Sequence, residues 1–237
     1  MTLIPAIARR SFFITGTDTG VGKTFFSCAL LHAAANAGFT TAAIKPVAAG
    51  AAETSEGLRN DDALALQAAC TLPLSYNEVN PFCLPAPLSP HLAAAEAGRR
   101  LQADRIVGFC QGVLMQRATL TVVEGAGGWR VPISDNETLA DVAKRLRLPV
   151  ILVVGMRLGC LNHAMLSAEA IRRDGLTLAG WVANTVDPQM QARDGNVAKL
   201  ERELMAPLLA DIPWLPAAAA RDAARLVDLP ALFPPRA

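Results

Sequence analysis

The tract Phe12-Phe13-Ile14-Thr15-Gly16-Thr17-Asp18-Thr19-Gly20-Val21-Gly22-Lys23-Thr24 limits this chain more than any other. An apolar run stops at a loop of small residues. The loop ends in Gly-Lys-Thr, and an alanine-rich helical pattern follows from Phe25 to Ala37. Strand, loop and helix in this order are the context a phosphate-binding P-loop requires, and a glycine turn with a surface lysine is the plain alternative. Glycines let backbone N–H groups crowd toward an anion where a Cβ would obstruct them, and the helix start adds unpaired donors and a favourable dipole. Lys23 is then placed to reach the β- and γ-phosphates, and the Thr24 hydroxyl to ligate Mg²⁺. The spacing is imperfect. Thr17 stands where the usual pattern has its first glycine, and Gly16 comes one residue earlier.

The rest of the chain alternates strands and helices. Thr40 to Lys45 reads as a second strand, and its end, Lys45-Pro46-Val47-Ala48-Ala49-Gly50, falls where open parallel sheets bind ligands. Lys45 is either a group facing that site or a snorkelling surface lysine. Ala51 to Arg59 reads as a loop. Asn60-Asp61-Asp62 precedes a helix over Ala63 to Ala69, with Asn60 or Asp61 as its cap, and Asp62 is either a first-turn acid or a ligand. Residues 71 to 90 carry five prolines and read as an irregular surface connection, after which Ser89-Pro90-His91 opens a helix over Leu92 to Glu96. His91 is either a ligand contact or a capping residue. Helical periodicity covers Asp104 to Arg117. The β-branched run Thr119 to Val123 reads as a buried strand ending in Glu124-Gly125-Ala126-Gly127-Gly128. An acid directly after a buried strand matches a Walker-B placement beside a P-loop, and a strand-end acid at a glycine turn is the plain alternative. A helix over Glu137 to Arg147, a strand over Pro149 to Val154 and a helix over Asn162 to Arg173 follow. The helix start at Gly159-Cys160-Leu161-Asn162 is either an anion site or an end capped by Asn162. Leu178 to Asn184 reads as a strand, Val197 to Leu209 as an amphipathic helix and Ile212 to Leu215 as a last short strand. Asn184 either reads a base edge or caps a turn.

Continuously apolar strands alternating with helices imply an α/β fold, a parallel sheet with helices on both faces. The absence of linkers suggests one P-loop NTPase-like domain over 1–237, with its core at about 11–216. No apolar run approaches the roughly 20 residues of a membrane span, and Met1 to Arg10 has no signal-peptide pattern. A net charge of +1 gives no electrostatic case for nucleic acid or an anionic membrane. The five cysteines are scattered and form no Cys-x-x-Cys, which suits free thiols in the cytoplasm rather than a zinc site or a disulfide framework.

Several motifs in order carry a resemblance. They are the P-loop tract, Lys45-Pro46-Val47, Gly57-Leu58-Arg59-Asn60, Ser89-Pro90-His91, Val123 to Gly128, Val150 to Gly155, Gly159 to Ala164 and Ile212 to Leu215. Together they resemble dethiobiotin synthetase over about residues 11–216. The resemblance implies ATP-dependent conversion of 7,8-diaminononanoate and CO₂ to a cyclic urea, through a carbamate and a carbamic–phosphoric anhydride. It implies Mg²⁺ held by Thr24, Asp62 and Glu124, and Lys45 and Lys23 as catalytic groups. Thr19, Gly20, Val21, Gly22, Lys23, Thr24 and Phe25 match the triphosphate cradle, joined by Glu124, Gly125, Ala126 and Gly127. Asn184 matches the adenine reader, beside Thr185, and Pro213, Trp214 and Leu215 match the wall of the base pocket. Thr19, Lys45 and Ala49 match substrate positions, and Gly159, Cys160, Leu161 and Asn162 match the helix start that receives the substrate carboxylate across a homodimer interface.

Two positions depart from the family. Ala49 stands where Ser or Thr is common, and Gly20 where some members carry an acid. Two rivals share the P-loop. A ParA/MinD-type ATPase would carry a lysine where Asp18 stands, and a cobyrinate amidase-type synthetase would need a glutamine-hydrolysing domain for which 237 residues leave no space.

Overall fold

Six parallel strands form the central sheet of the computed structural model, which describes residues 9–233. The stretch inspected for a signal peptide and the last residues of the tail lie partly outside that range. The sheet runs in the order β10-β9-β8-β1-β7-β2: Leu208–Ile212, Leu178–Thr185, Val150–Met156, Arg10–Gly16, Leu120–Glu124 and Thr41–Ile44. β7 and β8 are buried along their whole length and β1 over its last five residues, which is why they read as unbroken apolar runs.

The helices lie on two sides. The connection from β1 through α1 (Lys23–Asn36) to β2 runs one way across the sheet. Those through α5 (Ala103–Leu114) to β7, α6 (Leu139–Leu146) to β8, α7 (Cys160–Arg173) to β9 and α8 (Arg193–Leu204) to β10 run the other way. Right-handed crossovers of opposite direction place their helices on opposite faces. The packing agrees: α5 meets α6 and α7 meets α8, whereas α1 meets α2 (Asp61–Ala69) and α9 (Ala220–Ala223). The direction changes at β1, so a crevice opens beyond its C-terminal end.

Several expectations shift. The stretch over 71–90 is no simple surface connection. It holds α3 (Tyr76–Val79), started by a Ser75–Glu78 capping box, and β6 (Phe82–Leu84), buried throughout. β6 pairs in parallel with β3 (Val47–Ala49), whose separation from β2 at Pro46 makes a second small sheet. The prolines bracket the Phe-Cys-Leu triplet without entering it, so a ladder survives. The supposed loop over 51–59 is a hairpin of β4 (Ala52–Thr54) and β5 (Gly57–Arg59), turned at Ser55 and Glu56 and entering β5 at Gly57 with φ +94°. α4 begins at Pro90 and ends at Glu96, with the proline in its first turn, where no N–H is missed.

The expected helix over 197–209 and strand over 212–215 are displaced toward the N-terminus. Met205 adopts left-handed φ +43°, Pro207 bars further helix, and the strand occupies Leu208–Ile212. The tail continues through α9 and α10 (Leu229–Leu232) and packs back on α1.

Candidate active site

Strand register assembles the site. Ile14 of β1 lies opposite Glu124, and Ile44 of β2 opposite Val123. Glu124, at the end of β7, is therefore flanked by the P-loop leaving β1 and by Lys45 leaving β2. The backbone of Lys45 is fixed on both sides: its N–H donates to the Val79 carbonyl at 2.8 Å, and its carbonyl accepts from Asn80 Nδ2 at 2.6 Å. Its ammonium is 2.8 Å from Glu124 Oε1 and 2.8 Å from Asp62 Oδ2. The Thr24 hydroxyl, one residue into α1, donates to the same Glu124 oxygen at 2.7 Å. Thr24, Asp62, Glu124 and Lys45 thus meet, although a hundred residues separate the first from the third.

Electrostatics follow from burial. Burial disfavours the charge on Lys45, yet Glu124 and Asp62 outweigh it and hold the ammonium above the usual lysine range. Burial likewise opposes the Asp62 carboxylate, and the charge and hydrogen bond of Lys45 keep it below its ordinary value. Lys23 donates to the Asp18 carbonyl at 3.1 Å. Burial pushes its pKa down to about 8, with Glu124 opposing and Lys45 adding to the fall. Cys28 lines the cavity, but burial pushes its thiol up to about 12, so it is no nucleophile at neutral pH.

Glu124 is fully buried, and its second oxygen, Oε2, has no protein partner. An orphaned buried carboxylate oxygen beside a second carboxylate and a hydroxyl fits a hard divalent cation. Among the described residues no three His, Cys, Asp or Glu side chains cluster as metal ligands. Thr24, Asp62 and Glu124 are therefore too few to enclose an ion, as for Mg²⁺ that keeps water and phosphate oxygens.

A cavity of about 1080 Å³ opens over this group. It is lined by Thr19, Gly20, Gly22, Lys23, Thr24 and Phe25 of the P-loop, and by Ala126 and Gly127. Lys45, Ala49 and Asp62 border it as well. Two glycines are sterically required. A Cβ at Gly22 (φ +89°) would stand 2.1 Å from Asn184 Nδ2, and one at Gly127 (φ +60°) 2.8 Å from Val131 Cγ2. Gly125 is packed beneath, where a Cβ would press on the Phe13 ring at 3.2 Å. Val21 is buried under the loop, and its carbonyl accepts from Asn184 Nδ2 at 2.8 Å. The buried side chain of Asn184 thus braces the P-loop from β9.

Beyond Asn184 a second cavity of about 340 Å³ is bounded by Thr185, Pro188, Arg193, Asp211, Pro213 and Trp214. Leu215 is half-buried and outside its lining. Gly159, Cys160, Leu161 and Asn162 line neither cavity. There α7 begins at Cys160 with Gly159 (φ +94°) as its cap, and Asn162 lies inside the helix, which overturns capping by Asn162.

Further contacts complete the surroundings of the cavity, and of the two caps expected for α2 the structure takes Asn60. Asn60 caps α2 by accepting from the Ala63 N–H at 3.3 Å, and its amide donates to the Ala49 carbonyl at 3.3 Å. Ser89, whose hydroxyl makes no capping bond to α4, borders the main cavity with Leu92, Ala217 and Ala220. Asp18 forms an ion pair with Arg157 and accepts from the Thr19 N–H at 2.7 Å, so it serves the loop's own shape.

Comparison with known proteins agrees with this geometry. The family model described as an AAA domain matches residues 10–221. The ATP-dependent dethiobiotin synthetase BioD of Cellvibrio japonicus is 54% identical over 96% of this chain and 99% of its own. The protein of the same name from Marinobacter nauticus is 55% identical, covering 88% and 90% of the two chains, and that from Pseudomonas aeruginosa 54%, covering 92% and 96%. Among solved structures, the signal recognition particle receptor FtsY of Elizabethkingia anophelis in complex with GDP superposes with TM-score 0.55 at 16% identity, over 99% of this chain and 67% of that one. FtsY of Thermotoga maritima gives TM-score 0.53 at 16% identity, over 99% and 72%. These two likenesses show the P-loop NTPase fold. Identity above one half over nearly the whole length shows more: the chain belongs to the dethiobiotin synthetase family.

Proposed function

We propose that this chain closes the cyclic urea of dethiobiotin from 7,8-diaminononanoate, CO₂ and ATP, with the residues around Lys45 as its catalytic centre. The observation that carries the reading is the convergence of Thr24, Lys45 and Asp62, which border the same cavity as Lys23, with the buried Glu124, which bonds both Thr24 and Lys45. One amine of the diamine captures CO₂ as a carbamate. The carbamate oxygen attacks the γ-phosphorus, ADP leaves, and a carbamic–phosphoric anhydride forms. The second amine attacks the carbamoyl carbon, the C–O bond to phosphate breaks, and the ring closes. A carbamate oxygen is a poor leaving group until it is part of a phosphate, which is why ATP is consumed.

Each residue has a share. The P-loop from Thr19 to Phe25 cradles the triphosphate through backbone N–H groups, and Lys23 neutralises charge on it. Thr24, Asp62 and Glu124 would hold Mg²⁺, which when bound neutralises charge on the phosphates. Lys45, fixed at its backbone and kept charged by two carboxylates, is positioned to stabilise the carbamate and the transferring phosphoryl group. The cavity slightly exceeds the roughly 300–1,000 Å³ of ordinary ligand clefts, which suits a nucleotide and a second substrate together. Thr185, Pro213 and Trp214 border the smaller cavity, which we assign to the base, with Asn184 and Leu215 beside it. We assign the carboxylate of the diamine to the α7 start, Gly159 to Asn162, of a second copy. Its position outside both cavities, next to the exposed Leu158, supports a homodimer. No helix among the described residues is long and apolar enough to cross a membrane, and we assign the enzyme to the cytoplasm.

Labelled bicarbonate should enter an acid-stable product only when ATP, Mg²⁺ and the diamine are all present, with ADP released in step. ADP release indifferent to the diamine would instead mark a nucleotide-switched ATPase.

A further inference from the structure

The smaller cavity has one charged wall whose geometry is unusually complete. Arg193, the first residue of α8, lies between β9 and β10 with its side chain 19% exposed. Its Nε donates to Thr185 Oγ1 at 2.7 Å. Nη1 reaches Asp194 Oδ1 and Asp211 Oδ2, each at 3.4 Å. Nη2 pairs with Asp211 Oδ1 and reaches the Ile212 carbonyl at 3.5 Å. A guanidinium has five N–H donors, all in its plane, and here five acceptors lie around its rim. The Thr185 hydroxyl spends its own proton on the Ile212 carbonyl at 2.8 Å, so it accepts from Arg193. What this residue has left for a ligand is the flat face. Pro188, Pro213 and Trp214 border the same space.

A clamped guanidinium bordering a cavity with an indole and two proline rings makes a slot for something flat. The adjoining residue on β9, Asn184, holds the P-loop carbonyl of Val21, so the slot lies next to the phosphate cradle.

We propose that the face of the Arg193 guanidinium stacks on the nucleobase of the bound triphosphate and contributes affinity without reading the base edge. The inference rests on the nucleotide-binding reading above and adds to it the residue that grips the base and the selectivity that results. Stacking between a guanidinium and an aromatic ring depends on ring area and charge, not on the donor and acceptor pattern of the base. Purines should therefore benefit alike and pyrimidines less. Any choice between ATP and GTP must come from other groups.

The test is calorimetric titration of the whole protein, with Mg²⁺ present, by ATP, GTP, CTP and inorganic tripolyphosphate. In Arg193→Gln, ATP and GTP should each weaken by about 5- to 30-fold, the range of a partly desolvated cation–π contact. CTP should weaken less, and tripolyphosphate should stay within about two-fold because it fills only the cradle. Arg193→Lys should also weaken ATP and GTP, though less than the glutamine variant, since an ammonium keeps the charge but has no planar face to stack. ATP binding unchanged in both variants would overturn the proposal, and so would an equal loss for tripolyphosphate. Should Arg193→Gln fail to fold, Asp211→Asn carries the test. It loosens the clamp, and a smaller loss of ATP affinity with tripolyphosphate unchanged is expected, whereas unchanged ATP affinity overturns the idea. Failure of the wild-type protein to bind either ATP or tripolyphosphate would overturn the nucleotide reading itself, and this proposal with it.

Discussion

Removing the ammonium of Lys45 should cost the folded protein far more than removing it together with its partner. Lys45 is 4% exposed and Glu124 not at all, and they meet at 2.8 Å. At an effective dielectric constant of about 20 their gross attraction is roughly 6 kcal/mol. Desolvation of both ions consumes much of that. The lasting effect is asymmetric: losing one partner strands the other charge in the interior, at about 3–5 kcal/mol. Asp62 is half-exposed and water screens it, so its share is discounted. Lys45→Met should therefore lower the melting temperature of the metal-free protein by about 6–20 °C, taking about 2–4 °C per kcal/mol for a chain of this size. Lys45→Met with Glu124→Gln should recover most of that loss, because a buried ion pair replaced by neutral groups is often neutral or stabilising. The cycle should give a coupling of at least about 2 kcal/mol between the two sites. It is measured by urea unfolding of four proteins in EDTA. A coupling below about 0.5 kcal/mol, the usual error of additivity, would mean that the pair is not buried as described.

Two further outcomes follow from the P-loop. Gly22→Ala must displace Asn184 as well as accept φ +89°, whereas Gly20→Ala at φ +72° meets nothing within 4 Å. Urea midpoints should show a loss of about 2–4 kcal/mol for the first and about 1 kcal/mol for the second, and equal losses would contradict the bracing role of Asn184. Lys23 has a folded pKa of about 8, below its ordinary 10.5. Between these values the unfolded chain binds more protons than the folded one, so this group's contribution to stability rises with pH through that window. Triphosphate binding should restore the charge and take up a proton near pH 8.5. Calorimetry in buffers of different ionisation enthalpy should detect this uptake at pH 8.5 and not at pH 7; no uptake at either pH would contradict the burial of Lys23.

The central sheet was legible because buried parallel strands leave continuous apolar runs, and β1, β7 and β8 each do so within about two residues of their ends. The small sheet of β3 and β6 was not. Three-residue strands carry no period, and their pairing joins Val47 to Phe82 across more than thirty intervening positions. The tail was equally silent: its alanines and prolines have no amphipathic pattern, yet Ala217 and Ala220 border the main cavity. Nothing local marks Arg193, because the apolar periodicity of α8 begins only at Val197, four residues inside the helix. Its partners lie on β9 and β10, and the bounds of β10 are set by Pro207, which bars further helix after Leu204.

Lys45 shows where local reading ends and pairing takes over. A lysine after a short strand is equally compatible with a surface stem and with a site, because the residues around it are small and apolar either way. Register removes the ambiguity. Once Ile44 sits beside Val123, the next residue of each strand must emerge level with the other, and those residues are Lys45 and Glu124. Asn80 and Val79 then hold the Lys45 backbone, so that the ammonium is set between two carboxylates rather than left to extend into water. Pairings separated by 79 residues are fixed by the hydrophobic sheet as a whole. The chemistry at its edge therefore depends on strands that carry no chemistry themselves.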